Sequence, residues 1–385
     1  MTPLPSLTIR GRTLLPIVQG GMGIGVSAHR LAGAVAKEGA MGTIASIDLR
    51  HHHPDLLELC RENPVQATLE AANQTALRRE IIAAKAISEG RGMIAVNVMR
   101  AVASYAAAVQ TACESGADAI VMGAGLPLDL PDMTQGVDIA LIPILSDSRG
   151  IALVLKKWLK KNRLPDAIVI EHPAHAGGHL GVASIADIPS ERFDFARVIE
   201  ETMLTFDTLG IGRTQVPLIV AGGIDGHAAV RHWLAAGASG VQLGTAFAVT
   251  KEGDAHPEFK RILAEAKPED ITEFVSVTGL PARAVKTPWL VRYMRQETRI
   301  RDKIGTKPQT CLSGLNCLTA CGWRDGIEKF GHFCIDARLA AALRGDRATG
   351  LFFRGREALP FGSAIRSVRE LLDLLVADIR PAAVA

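Results

Sequence analysis

The sequence carries little net charge: 43 Lys and Arg against 40 Asp and Glu leave a formal +3 along 385 residues. Neither a nucleic-acid groove nor an anionic membrane surface is implied by so even a balance. No uninterrupted apolar segment approaches the ~20 residues that cross a bilayer. The opening MTPLPSLTIRGR lacks the charged head and long apolar run of a secretion signal. These absences predict a cytoplasmic protein with a small-molecule substrate, in which six cysteines stay reduced and available for chemistry or metal. Disorder is excluded as an overall class by 48% hydrophobic residues and 22% charged ones, a balance that can bury a full core.

A repeated phrase organises the chain. Three times a helical pattern ends in Gly-Ala and leads straight into a short apolar run: KEGAMGTIAS at Gly39, ESGADAIVM at Gly116 and AAGASGVQLGT at Gly237. Glycine suits the left-handed residue that closes a helix, and a short branched run suits a strand buried on both faces. Further runs, LPIVQGG, GMIAVNVM, VDIALIPIL, DAIVIEH and VPLIVAGG, bring the total to eight strands between Pro16 and Gly244. Helix-length amphipathic segments such as SAHRLAGAVAKEG and HAAVRHWLAAG separate most of them. Eight alternating units predict an α/β fold of the (β/α)8 TIM barrel type, with a doubly wound open sheet, which usually has fewer strands, as the alternative. Past Phe247 the regularity stops. Residues 251–335 read as a helical cap region, which leaves 1–250 and 336–385 to the barrel, the latter supplying a closing C-terminal helix from SVRELLDLLVADI.

In such a barrel the active site lies at the C-terminal ends of the strands, and the loops after strands seven and eight commonly hold a phosphate. Here AGGIDG, beginning Ala221, Gly222, Gly223, follows the seventh run, and LGTAF, with Gly244 and Thr245, follows the eighth. Stripped glycines expose backbone N–H groups, and the threonine adds a hydroxyl donor. A phosphorylated cofactor or substrate is the first inference; tight turns alone are the plainer alternative. VQGGMGIG closes the first strand with Gln19, Gly20, Gly21 and Met22, a bare backbone against which a flat ring can lie. Asn97 ends the third run, where its amide suits a ring edge, a phosphate or a neighbouring loop. Gln242 is either a ligand-facing amide or a satisfied amide inside the barrel. The sixth run leads into EHPAHAGGHLG, where Glu171 is followed by His175 and His179 around Gly177 and Gly178. An imidazole with an unperturbed pKa of ~6.5 suits proton transfer near neutrality.

Taken together and in this order, VQGGMG, NVM, AGGHLG, VAGGIDG and GVQLGTAF resemble the nitronate monooxygenase family, formerly called 2-nitropropane dioxygenases. Its relatives include FMN-dependent enoyl-ACP reductases and NAD(P)H:quinone reductases. The resemblance implies FMN across the barrel mouth, with Ala176, Gly177 and Gly178 against the flavin and His179 as base or proton donor near flavin N5. His175 is the other candidate for contact with the substrate. The implied activity is oxidation of an alkyl nitronate: the flavin takes one electron, and oxygen reacts with the resulting radical pair to give a carbonyl product and nitrite. On the same scaffold, NAD(P)H-dependent reduction of an enoyl thioester or quinone stays open. A flavin and iron–sulfur subunit that relays electrons to a partner protein is a third reading. The chain departs from the family's usual form where a Glu-Ala or Cys-Ala pair precedes Gly-Gly, since HPAH here separates Glu171 from that position. A homodimer is the ordinary expectation for a barrel of this size.

Cys311, Cys317, Cys321 and Cys334 form a C-x5-C-x3-C-x12-C array without the C-x2-C pairs that zinc prefers. An iron–sulfur cluster is the better match, and the last three cysteines resemble the cluster segment of flavin-dependent 2,4-dienoyl-CoA reductases. A redox disulfide pair and plain packing are the alternatives. Cys60 and Cys113 fall in helical patterns and read as core. His51 to His53 read as a solvated loop, since consecutive residues share no helical face. KKWLKKNR reads as an exposed helix face, and KTPWLVRYM either folds over the cofactor or packs through Trp289.

Overall fold

The computed structural model describes residues 5–304, 307–311, 314 and 316–377. Eight parallel strands close into a barrel in chain order: β1 (Ile17–Gln19), β2 (Met41–Ala45), β3 (Met93–Met99), β4 (Ala119–Gly123), β5 (Ala140–Leu145), β6 (Ile168–Glu171), β7 (Leu218–Ala221) and β8 (Gly240–Leu243). Pairing of β8 with β1 completes the ring. Every one of the eight apolar runs is thus a strand, and the open-sheet alternative is excluded.

The strands are apolar throughout because each lies between two layers. Val18, Met41, Ala95, Val121, Ile142, Val169 and Ile219 fill the barrel interior, while Ile17, Ile94, Val96, Ile120, Ile168 and Val220 meet the surrounding helices. An N-terminal hairpin, Leu7–Ile9 paired with Arg12–Leu14, closes the floor with Leu7, Ile9 and Leu14 packed into the interior cluster. Side-chain alternation then fixes the mouth. Two residues beyond Ala95 and Val169, Asn97 and Glu171 point inward, and Gln242 does so between outward-facing Val241 and Leu243.

The helix-to-strand joints behave as their spacing predicts, with Gly39, Gly116 and Gly237 at φ of +88°, +74° and +104°. Gly42 needs a bare Cα for a different reason. A Cβ there would sit 2.0 Å from the carbonyl oxygen of Ala32, so the helix His29–Lys37 rests its backbone directly on β2.

The stretch from 251 to 335, expected to be helical, is mixed. Helices Pro257–Glu265 and Pro288–Ile304 flank an antiparallel hairpin of β9 (Ile271–Val275) and β10 (Pro281–Val285). Strand β10 also pairs with Gly178–His179, reaching back to the loop after β6. ITEFV carries the branched and aromatic residues of a strand, which the charged surroundings obscure. Beyond the helix Ile335–Leu343, the chain crosses the barrel mouth at 351–359 and ends in the helix Val368–Leu375, capped by Ser367 and Glu370 and buried through Leu371, Leu372 and Leu375. Among the described residues no helix is long and apolar enough to cross a membrane.

Substituting Gly42→Ala forces a methyl group into the helix backbone and is expected to cost about 2 kcal/mol, read as a fall of several degrees in Tm. Gly226→Ala, where the added Cβ meets nothing within 4 Å, is the control expected to leave Tm nearly unchanged.

Candidate active site

The C-terminal mouth of the barrel holds a cavity of about 310 Å³ with apolar walls that include Met22, Ile24, Ile144 and Leu263. Of the residues singled out at the strand ends, Gly20, Gly21, Met22, Asn97, Ala221, Gly222, Gly223, Gln242, Gly244 and Thr245 all line it. So do His175, Ala176, Gly177, Gly178 and His179 from the loop after β6. Gln19 does not, and its assignment as a cofactor contact is corrected. Its amide oxygen accepts the Thr43 N–H at 2.8 Å and its amide nitrogen donates to the Thr43 carbonyl at 3.1 Å. Strands β1 and β2 share only the short register at Val18 and Met41. The Gln19 side chain therefore supplies the hydrogen bonds that the main chain does not.

One end of the cavity suits an anion. Gly222 and Gly223 take φ of +99° and +79°. The backbone N–H groups of Gly222, Gly223 and Gly244 have no acceptor among the described residues. Thr245 Oγ1 accepts the Gly355 N–H at 3.0 Å, which leaves its own proton to donate. Arg354 lines the same wall, its buried guanidinium donating to the carbonyls of Leu263, Gly355 and Glu357 at 2.9, 2.8 and 3.2 Å, with no carboxylate bonded to it among the described residues. Elsewhere on the wall two carboxamides stand ready for a ring edge. Gln242 has no hydrogen-bond partner among the described residues, and Asn97 makes only a 3.5 Å contact with the Val121 carbonyl. A Cβ on Gly21 would lie 2.3 Å from Asn97 Cβ, so the bare main chain and this amide share one surface. Orphaned amides beside a fixed cation, free carboxamides and an apolar slot fit a phosphorylated ligand with a flat ring.

Titratable groups line the same space in opposite electrostatic states. Burial lowers the pKa of His179 to about 4, and its Nε2 lies 2.8 Å from Ser276 Oγ. The imidazole is neutral near pH 7. Burial raises Glu171 to about 7, and this carboxyl has no hydrogen bond or ion pair among the described residues. His175 Nδ1 meets Glu357 Oε1 at 2.6 Å, and its ring lies over the turn at Gly223, whose added Cβ would be 3.2 Å from His175 Cγ. Glu171 was visible as the last residue of an inward-pointing alternation. Ser276, Arg354 and Glu357 left no such sign, because the loops that carry them reach the mouth only through the fold.

The histidine-bearing loop is held by Arg283 of β10. This side chain is fully buried; its Nε donates to Glu273 Oε1 at 2.9 Å, and Nη1 donates to the carbonyls of Pro173, at 3.0 Å, and Ala176. Burial lowers the guanidinium pKa, and Glu273 opposes that shift. Gly177 then meets the crossing segment: a Cβ there would be 2.5 Å from the Arg354 carbonyl carbon and the Gly355 nitrogen. Its bare backbone thus serves chain-to-chain packing.

Several other expectations are decided by packing. His51, His52 and His53 are half-buried, where a solvated loop was expected. The 3-10 turn Leu49–His52 fans them apart. His51 pairs with Asp48 at 3.1 Å, His52 with the Gly25 carbonyl at 2.7 Å and His53 with Glu80 at 2.9 Å. Asp48 also binds Arg50 through two contacts of 2.7 and 3.1 Å and hydrogen-bonds Asp336. Burial and the neighbouring Asp48 charge push Asp336 well up, so it carries the proton of the pair on the cavity wall. Trp289 stacks on Tyr293 and meets Phe333 edge-on within the cap, away from the cavity. Cys60 is core and Cys113 half-buried against it, and Lys156, Lys157, Lys160 and Lys161 are exposed.

The nitronate monooxygenase family model matches residues 8–378. A probable nitronate monooxygenase of Bacillus subtilis is 28% identical over 294 residues, which cover 74% of this chain and 80% of that protein. Another, from Staphylococcus saprophyticus, is 29% identical over 136 residues, 35% of this chain and 36% of its own length. Among solved structures, FabK from Thermotoga maritima superposes with a TM-score of 0.65 at 19% identity over 94% of this chain and 92% of its own. A nitroalkane oxidase from Streptomyces ansochromogenes does so with a TM-score of 0.63, also at 19% identity, over 94% and 95%. At that identity the two structures speak for the fold.

Replacing Arg283 with Met removes the buried tie and is expected to cost about 3–5 kcal/mol. Lys is expected not to restore it, since a compact ammonium cannot bridge a carboxylate and two carbonyls as the planar fork does. Tm and the flavin-to-protein ratio after gel filtration read both variants. Glu171 gives a second expectation. Its raised pKa means that folding disfavours the ionised form, so its contribution turns unfavourable as pH rises from its ordinary value near 4.5 through about 7. Glu171→Gln should therefore match the parent in denaturant unfolding near pH 4 and exceed it near pH 8, by on the order of 1–2 kcal/mol once the open side of the cavity is allowed for.

Proposed function

The chain belongs to the nitronate monooxygenase family and is an FMN-type oxidoreductase; we propose that it oxidises alkyl nitronates with oxygen, releasing a carbonyl product and nitrite. The observation that carries this reading is the neutral His179 in the cavity wall. An imidazole held at about pKa 4 is a weak base for drawing a proton from carbon. A nitronate arrives already ionised and needs no such step; it needs hydrogen-bond donors and a dry site. When bound, FMN supplies the electron exchange between substrate and oxygen.

This chain's residues do the rest. Gly222, Gly223, Gly244 and Thr245 would hold the phosphate beside the Arg354 charge, and Gln242 and Asn97 would address the ring edge. Met22, Ile24 and Ile144 exclude water. His179, steadied by Ser276 and by the pairing of its backbone with Ala282, offers a ring nitrogen to the nitronate group. His175, tied to Glu357, is the other imidazole on the substrate side.

A second reading has its own support in Glu171. A carboxyl raised to about 7 retains its proton through much of the neutral range and can donate it. NAD(P)H-dependent reduction of an enoyl thioester or a quinone requires such a donor to its product. Neither reaction requires an iron–sulfur cluster, and the cysteine array stands outside this chemistry.

The purified flavoprotein, supplied with an alkyl nitronate in air, is expected to release nitrite at a rate that His179 leaves flat above about pH 5 and that falls below it. His179→Ala should lower that rate by about 10²-fold or more while the flavin spectrum persists. Fast bleaching of the flavin by NADPH or NADH, without nitrite release from nitronate, would transfer the assignment to the reductase.

A further inference from the structure

We propose that Asp336 selects nitronates whose chain ends in a hydrogen-bond donor, a hydroxyl or an amine, by accepting that donor at the cap side of the cavity. The proposal rests on the nitronate reading above and names the substrate class within it. Asp336 belongs to the helix Ile335–Leu343, which sends Ile335, Asp336, Leu339 and Ala342 to the cavity wall. Of these only Asp336 is polar. Leu339 packs against the apolar cluster that contains Ile24 and Ala342 and also against the one that contains Leu318 and Ile335. The carboxyl therefore interrupts an apolar surface.

This side chain is held in place. Asp336 is 5% exposed and hydrogen-bonds Asp48, in the loop after β2. Asp48 is itself fixed: Arg50 donates to its Oδ1 at 2.7 Å and to its Oδ2 at 3.1 Å, and His51 Nε2 lies 3.1 Å from Oδ2. A proton that joins two carboxyls lies between them, so what Asp336 turns to the cavity is an acceptor. Its Oδ1 is shut off from solvent and meets no N–H or hydroxyl donor. No donor among the described residues reaches Oδ2 either, which leaves that oxygen to open on the cavity. A methyl group placed there would leave the acceptor unpaired, whereas a hydroxyl or amine would satisfy it.

Its place in the ring suits the far end of a substrate. The eight strands follow chain order, so β2 stands opposite β6 and β3 opposite β7. His179 lies in the loop after β6. Asp48 follows β2, and Leu318 is bridged to Val102, just after β3. A substrate with its nitronate group at His179 and its chain across the mouth ends at Asp336.

The test uses the holoenzyme and two series of nitronates, those of the straight-chain 1-nitroalkanes from nitrobutane to nitroheptane and those in which a hydroxyl replaces the terminal methyl. Affinity is read without oxygen from the change in the flavin spectrum, and kcat/KM from nitrite release in air. At the chain length that reaches the helix, the hydroxyl compound is expected to be preferred about 10-fold or more in both. Asp336→Asn should keep the preference, since its amide can donate to Asp48 and turn its oxygen to the cavity. Asp336→Leu should abolish it. No preference in the parent at any length, its persistence in Asp336→Leu or its loss in Asp336→Asn would overturn the proposal. Should the variants fail to fold, the parent's preference decides. Affinity is measured without turnover, so a failure of the nitronate reaction, seen as no nitrite from either series, is distinguished from a failure of the selection.

Discussion

The site depends on one buried guanidinium. Arg283 lies on a hairpin that belongs to the cap, yet its hydrogen bonds end on the carbonyls of Pro173 and Ala176, in the loop after β6. The loop makes a turn of its own at His172, whose carbonyl accepts the N–H groups of His175 and Ala176 at 3.1 and 3.0 Å, but the Pro173 and Ala176 carbonyls are met by Arg283. The ion pair with Glu273 fixes the guanidinium, the guanidinium fixes the loop, and pairing of β10 with Gly178–His179 sets the direction of the imidazole. The β9–β10 hairpin is therefore joined to the barrel at residues that line the cavity.

Burial also divides the proton chemistry. The same desolvation moves His179 down to about 4 and Glu171 up to about 7, because it penalises the charged form of each. Near neutrality the cavity thus presents a neutral imidazole and a carboxyl that holds its proton about half the time. Positive charge comes from Arg354, whose hydrogen bonds go to main-chain carbonyls, at the end where the amides of Gly222, Gly223 and Gly244 lack acceptors. An anionic ligand would meet a site already arranged for its charge.

Most of the barrel was legible because its signals are local. Gly39, Gly116 and Gly237 announce helix ends, and short branched runs between amphipathic segments announce buried strands. The cavity's glycines were legible for the same reason: a loop after a known strand lands at a known place in this architecture. Gln19 misled because a polar residue closing an apolar run looks the same whether it meets a ligand or bridges two strands; only the sparse pairing of β1 with β2 separates the two cases. The hairpin of β9 and β10 was obscured by charge, and Trp289, which could have covered a ring, packs instead on Tyr293 and Phe333.

By itself the sequence determined the class of fold, the order of its strands and the loops at the barrel mouth, since periodicity and glycine placement act over a few residues. Only the tertiary structure decided what those loops can do. It brought Arg283 to a carbonyl 107 residues away, laid Gly355 against Gly177 and buried His179 and Glu171 deeply enough to reverse their usual readiness to ionise. Contacts between distant segments and the loss of water around a side chain are properties of the assembled chain, and no local pattern encodes them.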